Sequence, residues 1–280
     1  TYNMAKDHVS TSYKELLPKV DAVDIVVPTD MHFGLVKEAL EAGKDVFVEK
    51  PITVTAADAL ALAELAEQQK RVLQVGHLFR YNPSTQYIKE QISNGTLGKL
   101  RYLTGYYMGF KRARTDVGVT HTDSIHFFDL FNYFLGKTPH SVTAVMKDFF
   151  GRGLEDTSVV FLNYGDELAK VESGYLPPGN HRQVTLMGDK ATITSDVVSQ
   201  HVEIHDNHHK LINGVWTAVE QGVSRPKIIT QEPLMLQLKD FLACVNTGKK
   251  PLADGWVGYE LMKIVEAAVK STKEKKEVSL

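Results

Sequence analysis

A chain of 280 residues with 43% hydrophobic and 24% charged side chains can bury a sizeable core and suits one large domain or two ordinary ones. The formal charge of −2 gives no electrostatic footprint for nucleic acid or an anionic membrane, and no apolar run approaches the roughly 20 residues that span a bilayer. Cys244 is the only cysteine, which excludes an internal disulfide and points to a reducing, cytoplasmic setting. Its surroundings, LKDFLACVNTG, read as a helix in which Cys244 is a small core residue rather than a nucleophile.

The opening stretch, TYNMAKDHVSTSYKELL, reads as the tail of one helix followed by another. It has neither signal-peptide regions nor an opening strand, so the sequence is expected to begin inside a domain. VDAVDIVV, ending at Pro28-Thr29, is the first strand. From Asp30 the apolar residues Phe33, Val36, Ala39 and Leu40 recur at helical spacing, and Gly43 supplies the stop. DVFV is a second strand with the length and branching of a buried one, followed directly by Glu49, Lys50 and Pro51. Thr55 and Asp58 form a helix-start signal ahead of Leu60, Leu62 and Leu65. RVLQV is a third strand, ending at Gly76-His77. Strands and helices alternating through short loops imply right-handed parallel crossovers, hence an α/β layer. Its three strand ends share one edge, carrying Pro28-Thr29, Glu49-Lys50-Pro51 and His77 to Pro83. Ligands of open parallel sheets bind at that edge.

After a helix from Pro83 to Ile92 the pattern changes. KLRYLTGYYMG alternates as a strand does, and the polar stretch FKRARTDVGVTHTD leads into the helix SIHFFDLFNYFLG, stopped by Gly136. From Ser141 to Glu220 come SVTAVM, TSVVFLNY, LAKVESGYL, RQVTLMG, ATITS and HVEIH, separated by turn signals. These predict a second, α+β domain with a large, mostly antiparallel sheet. Two helices, from about Glu232 and about Gly255, close the chain, and KSTKEKKE reads as a fraying terminus. The expected domains are residues 1–98 and 99–280. A broad one-sided sheet invites a second copy, so a homodimer or homotetramer through it is expected.

Lys50 precedes a proline on extended backbone, where burial can tune an ammonium for acid–base chemistry. THTDSIHFFD holds the densest group of titratable side chains. On a helix, Asp123 and His126 share a face at i,i+3, as do Thr122 and His126 at i,i+4. A carboxylate beside an imidazole fixes its tautomer and raises its basicity, as a general base requires. The structural alternative is a helix-capping Asp123 with His126 packed beside Phe127 and Phe128. HVEIHDNHH has histidines at metal-like spacing, but its alternation and the Asp206-Asn207 turn favour a solvated hairpin, so no metal site is expected. No G-x-G-x-x-G occurs in the sequence.

The segments DIVVPTDMHFGLVKEALEAGKDVFVEKPITVT, VGHLFRYNP and IHFFDLFNYFLGK resemble the Gfo/Idh/MocA oxidoreductases, and the resemblance extends over essentially the whole chain. FRYNP and EPLMLQLKDFLACVNTGKKPLADG are most similar to the branch acting on nucleotide sugars. The resemblance implies a Rossmann domain, NAD or NADP as cofactor, and a sugar or nucleotide-sugar substrate. It makes Lys50 the catalytic lysine of the E-K-P motif, whose lysine–proline bond is typically cis in the family, and His126 the general base. Pro28, Thr29, His32, Glu49, Lys50 and Pro51 would line the cofactor, with His77, Arg80 and Asn82 near nicotinamide and substrate.

Two departures stand out. Thr122 occupies the position where the family has an aspartate, four residues before the histidine, and Asp123 stands one residue later as its possible replacement. The family's first strand, glycine-rich turn, helix and second strand are absent from the sequence, so a fragment of a longer protein is expected. The alternative from a different class is a non-catalytic sugar-binding or scaffold protein that has lost its dinucleotide turn.

Overall fold

The computed structural model describes residues 8–280. The chain forms two compact units, one of residues 1–76 with 238–259 and the other of 77–237 with 260–280. Residues 77–98, read from sequence with the first domain, group here with the second, and parts of both closing helices group with the first. The beginning of the opening stretch lies outside the described residues; its remainder contains a single helical turn, α1 (Tyr13–Leu16), running into a 3₁₀ turn (Leu17–Lys19).

The first unit continues through β1 (Ala22–Ile25), α2 (His32–Glu41), β2 (Asp45–Val48), α3 (Ala56–Gln69) and β3 (Leu73–Val75). Its sheet has three strands in the order β1-β2-β3, all parallel. Every residue of β2 and β3 is buried, as expected of strands covered on both faces, whereas β1 carries an exposed Asp24. The Thr55 side chain accepts from the Asp58 N–H at 3.1 Å, so the start signal read from the sequence is a formed cap. Phe47 packs edge-on against Phe241 at 5.8 Å within this unit.

The second unit is built on a nine-stranded mixed sheet. After α4 (Pro83–Ser93) come β4 (Leu100–Gly109), α5 (Ile125–Leu135), β5 (Ser141–Lys147), β6 (Thr157–Asn163), β7 (Leu168–Gly174) and β8 (Asn180–Gly188). They are followed by β9 (Thr192–Asp196), β10 (His201–Ile212) and β11 (Val215–Ser224). Then come α6 (Pro233–Thr247), α7 (Gly255–Glu274) and β12 (Val278–Ser279). The order is β11-β10-β9-β8-β4-β7-β6-β5-β12, with β4 and β7 parallel and the other pairs antiparallel. Two expectations are corrected here. The hairpin turns at Asn213-Gly214, where both residues have positive φ, while Asp206-Asn207 is a bulge inside β10. The terminus does not fray to its end, since β12 returns to pair with β5.

Phe127, Phe128, Leu130 and Phe131 of α5 are fully buried in the core of this unit. Gly105 makes this packing possible: a Cβ there would lie 2.5 Å from Cγ of Phe127. Gly105→Ala is therefore expected to destabilise the protein by about 1–3 kcal/mol, as overpacking does. Denaturant unfolding with an unchanged midpoint would refute this.

Candidate functional site

The first unit presents the carboxyl ends of three parallel strands. Pro28 leads from β1 into a 3₁₀ turn, Thr29–Met31, with Thr29 buried. His32, the first residue of α2, is 1% exposed, and its ring lies between two carbonyl oxygens. Nδ1 is 2.8 Å from that of Pro51 and Nε2 is 3.0 Å from that of Val27, so His32 ties the turn after β1 to the turn after β2. Between these anchors Lys50 is half-buried, the Lys50–Pro51 bond is cis, and the Lys50 N–H donates to Glu49 Oε2 at 3.2 Å. Glu49 leans on the end of β3, where a Cβ on Gly76 would come within 2.9 Å of its Oε2. Partial desolvation, with the Glu49 carboxylate adding to it, pushes the Asp24 carboxyl above its usual range.

This edge holds an ammonium and a carboxylate on pinned backbone, against a glycine that leaves room beside them. Such chemistry fits the polar nicotinamide end of a dinucleotide, at the position where open α/β sheets bind ligands. The glycine-rich turn that would take a pyrophosphate is not among the 280 residues.

In the second unit His77 is 1% exposed and precedes the turn Leu78–Tyr81. Arg80 and Asn82 both have structural commitments. The Arg80 guanidinium bonds Asp129 of α5, with Nε at 2.8 Å and Nη2 at 2.7 Å, and stands 5.1 Å from the Tyr133 ring centre. Asn82 caps α4 by accepting from the Ser84 N–H at 2.9 Å, and its amide donates to the Val197 carbonyl at 2.8 Å.

His126 stacks on Phe79 at 4.6 Å and on Tyr107 at 5.3 Å, the latter within 6° of parallel. Thr120–Ser124 is a π-helical turn, in which the Ile125 N–H reaches back to the Thr120 carbonyl. This wider turn departs from the α-helical spacing on which the i,i+3 reading of Asp123 and His126 is based. Asp123 ion-pairs with Lys111, at 2.9 and 2.8 Å from its two oxygens. Lys111 Nζ also lies 4.8 Å from the Tyr107 ring centre and 5.3 Å from that of Tyr175. Thr122, at the position of the family aspartate, meets the Tyr175 hydroxyl at 2.8 Å.

Burial raises the Tyr107 hydroxyl above its ordinary value, the Asp123 charge adding to this and Arg182 partly opposing it. Burial raises Tyr175 as well, against the Thr122 hydrogen bond. Both phenols therefore stay protonated at neutral pH.

Sequence reasoning named His126 and Asp123 of this cluster, but not Tyr107, Lys111, Tyr175 or Arg182, which the structure groups with them. Register is the signal that could have found part of this, because Tyr107 lies opposite Arg182 across the β4–β8 pair. Nothing in FKRAR marks Lys111 as the partner of Asp123. Among the described residues no group of three or more histidine, cysteine or acidic side chains is placed to hold a metal ion, and Glu203 of the histidine-rich strand bonds Arg225 at 2.7 Å. No helix of the described residues is long and apolar enough to cross a membrane.

Residues 3–77 match the NAD-binding Rossmann fold of the Gfo/Idh/MocA oxidoreductase family, and residues 89–280 match its C-terminal alpha/beta domain. UDP-N-acetylglucosamine 3-dehydrogenase of Acidithiobacillus ferrooxidans is 26% identical over 90% of this chain and 78% of its own length. The NAD(+)-dependent scyllo-inositol 2-dehydrogenase of Bacillus subtilis is 28% identical over 84% of this chain and 70% of its own length. Levoglucosan dehydrogenase, solved with NADH and levoglucosan, shares the fold with a TM-score of 0.83 at 18% identity, over 96% of this chain and 83% of that one. With both of its family segments matched in order, the chain belongs to the Gfo/Idh/MocA family of NAD-binding oxidoreductases.

Proposed function

We propose that the protein is an NAD(P)-dependent dehydrogenase that oxidises a hydroxyl of a sugar or nucleotide sugar, with Lys50 and His126 handling the proton. The match to both family segments carries this conclusion. The relatives named for UDP-N-acetylglucosamine, inositol and levoglucosan support the substrate class.

Bound nicotinamide supplies the hydride acceptor. The chain supplies position and proton handling. Lys50 donates a hydrogen bond to the reacting hydroxyl oxygen and stabilises the negative charge that builds there. The His126 imidazole accepts the hydroxyl proton. Phe79 and Tyr107, both in contact with that ring, restrict its movement. Asp123, bound to Lys111, places its charge beside this cluster.

The test is NAD or NADP reduction, followed by the absorbance of the reduced nicotinamide, with glucose, inositols, glucuronate and UDP-N-acetylglucosamine as substrates. One or more is expected to be oxidised with saturation kinetics. If none reduces either cofactor, while calorimetry shows that a sugar binds, the protein is a sugar-binding member of the family instead.

A further inference from the structure

Arg182 on β8 pairs in register with Tyr107 of β4, which places both side chains on one face of the sheet. It is 8% exposed. Its guanidinium carbon lies 3.4 Å from the Tyr107 ring centre, and Nη1 donates to the carbonyls of Met108 and His181, both at 2.9 Å. Tyr107 in turn stacks on His126, so the guanidinium stands one aromatic ring away from the imidazole.

No aspartate or glutamate of the described residues forms an ion pair with Arg182. Other arginines of this unit do have such partners: Arg80 pairs with Asp129, Arg114 with Asp116 and Arg152 with Asp156. Asp123, the carboxylate whose charge reaches Tyr107, is already held by Lys111. Main-chain carbonyls satisfy N–H donors but leave the charge uncompensated, and a buried cation without a counter-charge is costly. The guanidinium fork matches a carboxylate or a phosphate, which supply both acceptors and charge.

We propose that Arg182 binds an anionic group carried by the substrate, a sugar carboxylate or phosphate, beside the His126 cluster. This assignment rests on the dehydrogenase function proposed above and narrows its substrate class, since neutral sugars and cyclitols would leave Arg182 uncompensated. Lys111 lies against the same Tyr107 ring and adds positive potential, although its own charge is matched by Asp123.

The experiment is calorimetric titration of the protein, in the presence of NAD, with glucose, glucuronate, glucose 1-phosphate and UDP-N-acetylglucosamine. At least one anionic ligand is expected to bind tenfold or more tightly than glucose, with an advantage that shrinks at high salt. Arg182→Met should weaken that ligand by about 10- to 100-fold, the range for a lost charge-assisted hydrogen bond, and weaken glucose far less. Arg182→Lys, which keeps the charge without the fork, should recover part of the loss. A preference for glucuronate identifies the carboxylate, and a preference for the other two identifies the phosphate. Equal binding of glucose and all three anions overturns the proposal, as does an Arg182→Met protein that keeps its circular dichroism and its anion affinity. Should Arg182→Met fail to fold, Arg182→Lys and the wild-type salt dependence decide the matter, with unchanged anion affinity in both overturning it. Anion binding that depends on Arg182 without any nicotinamide reduction would retain this site and remove the dehydrogenase function.

Discussion

Lys50→Ala is expected to lower kcat by about 10²- to 10³-fold, the usual cost of removing one donor from developing negative charge. The proposed reaction builds that charge on the hydroxyl oxygen as its proton departs, so the ammonium acts more strongly on the transition state than on the bound alcohol. The loss should therefore fall on kcat rather than on KM. The fold should tolerate the change, because Lys50 is only half-buried while Pro51 and Ile52 beside it are buried and His32 pins the turn through the Pro51 carbonyl. An unaltered melting temperature alongside the lost turnover would attribute the effect to chemistry. Lys50→Arg separates charge from geometry: it retains a cation but delivers it as a wider planar fork, so recovery should be small. Wild-type rates in Lys50→Ala would remove the lysine from the mechanism and leave the dehydrogenase function to be tested through His126.

The strands and helices around Lys50 were legible because their signals are local. Thr55 and Asp58 announce a cap that forms, and the run Val46 to Val48 has the composition of a strand buried on both faces. The rest depended on information that local pattern does not carry. Helical spacing assumed an α-helix through Asp123 and His126, and Thr120–Ser124 is instead a π-helical turn. The destination of the Asp123 carboxylate depends on Lys111, twelve residues earlier in a loop with no periodicity. The Asp206-Asn207 dipeptide has turn chemistry and yet lies inside a long strand, because Asn213-Gly214 offers the better hairpin turn further on. Arg80 and Asn82 were read as ligand-facing from their family position, whereas the structure shows what they do locally: one balances Asp129 and the other caps α4. Register placed Arg182 beside Tyr107, and strand pairing is not readable from one strand alone.

His126→Gln should reduce kcat by about 10²- to 10⁴-fold at neutral pH, the range of a general base. The pH profile is the more telling readout. With the imidazole present, the rate levels off once the base is neutral. Without it, the proton must go to hydroxide, so the residual rate should keep climbing with pH. The neighbouring phenols cannot assume the role, because burial holds both Tyr107 and Tyr175 protonated well beyond the neutral range. Added imidazole should restore part of the activity if the space vacated beside Phe79 and Tyr107 admits a planar ring. Gln is chosen because it keeps a polar planar end group without a titrating nitrogen. The stacking lost with the ring could loosen the cluster, so thermal unfolding of the variant has to accompany its kinetics. A variant that is folded, slow and steeply dependent on hydroxide would support His126 as the base. One that is folded and slow but keeps the wild-type pH profile would mean that another group takes the proton, leaving His126 to position the substrate through its stack with Tyr107.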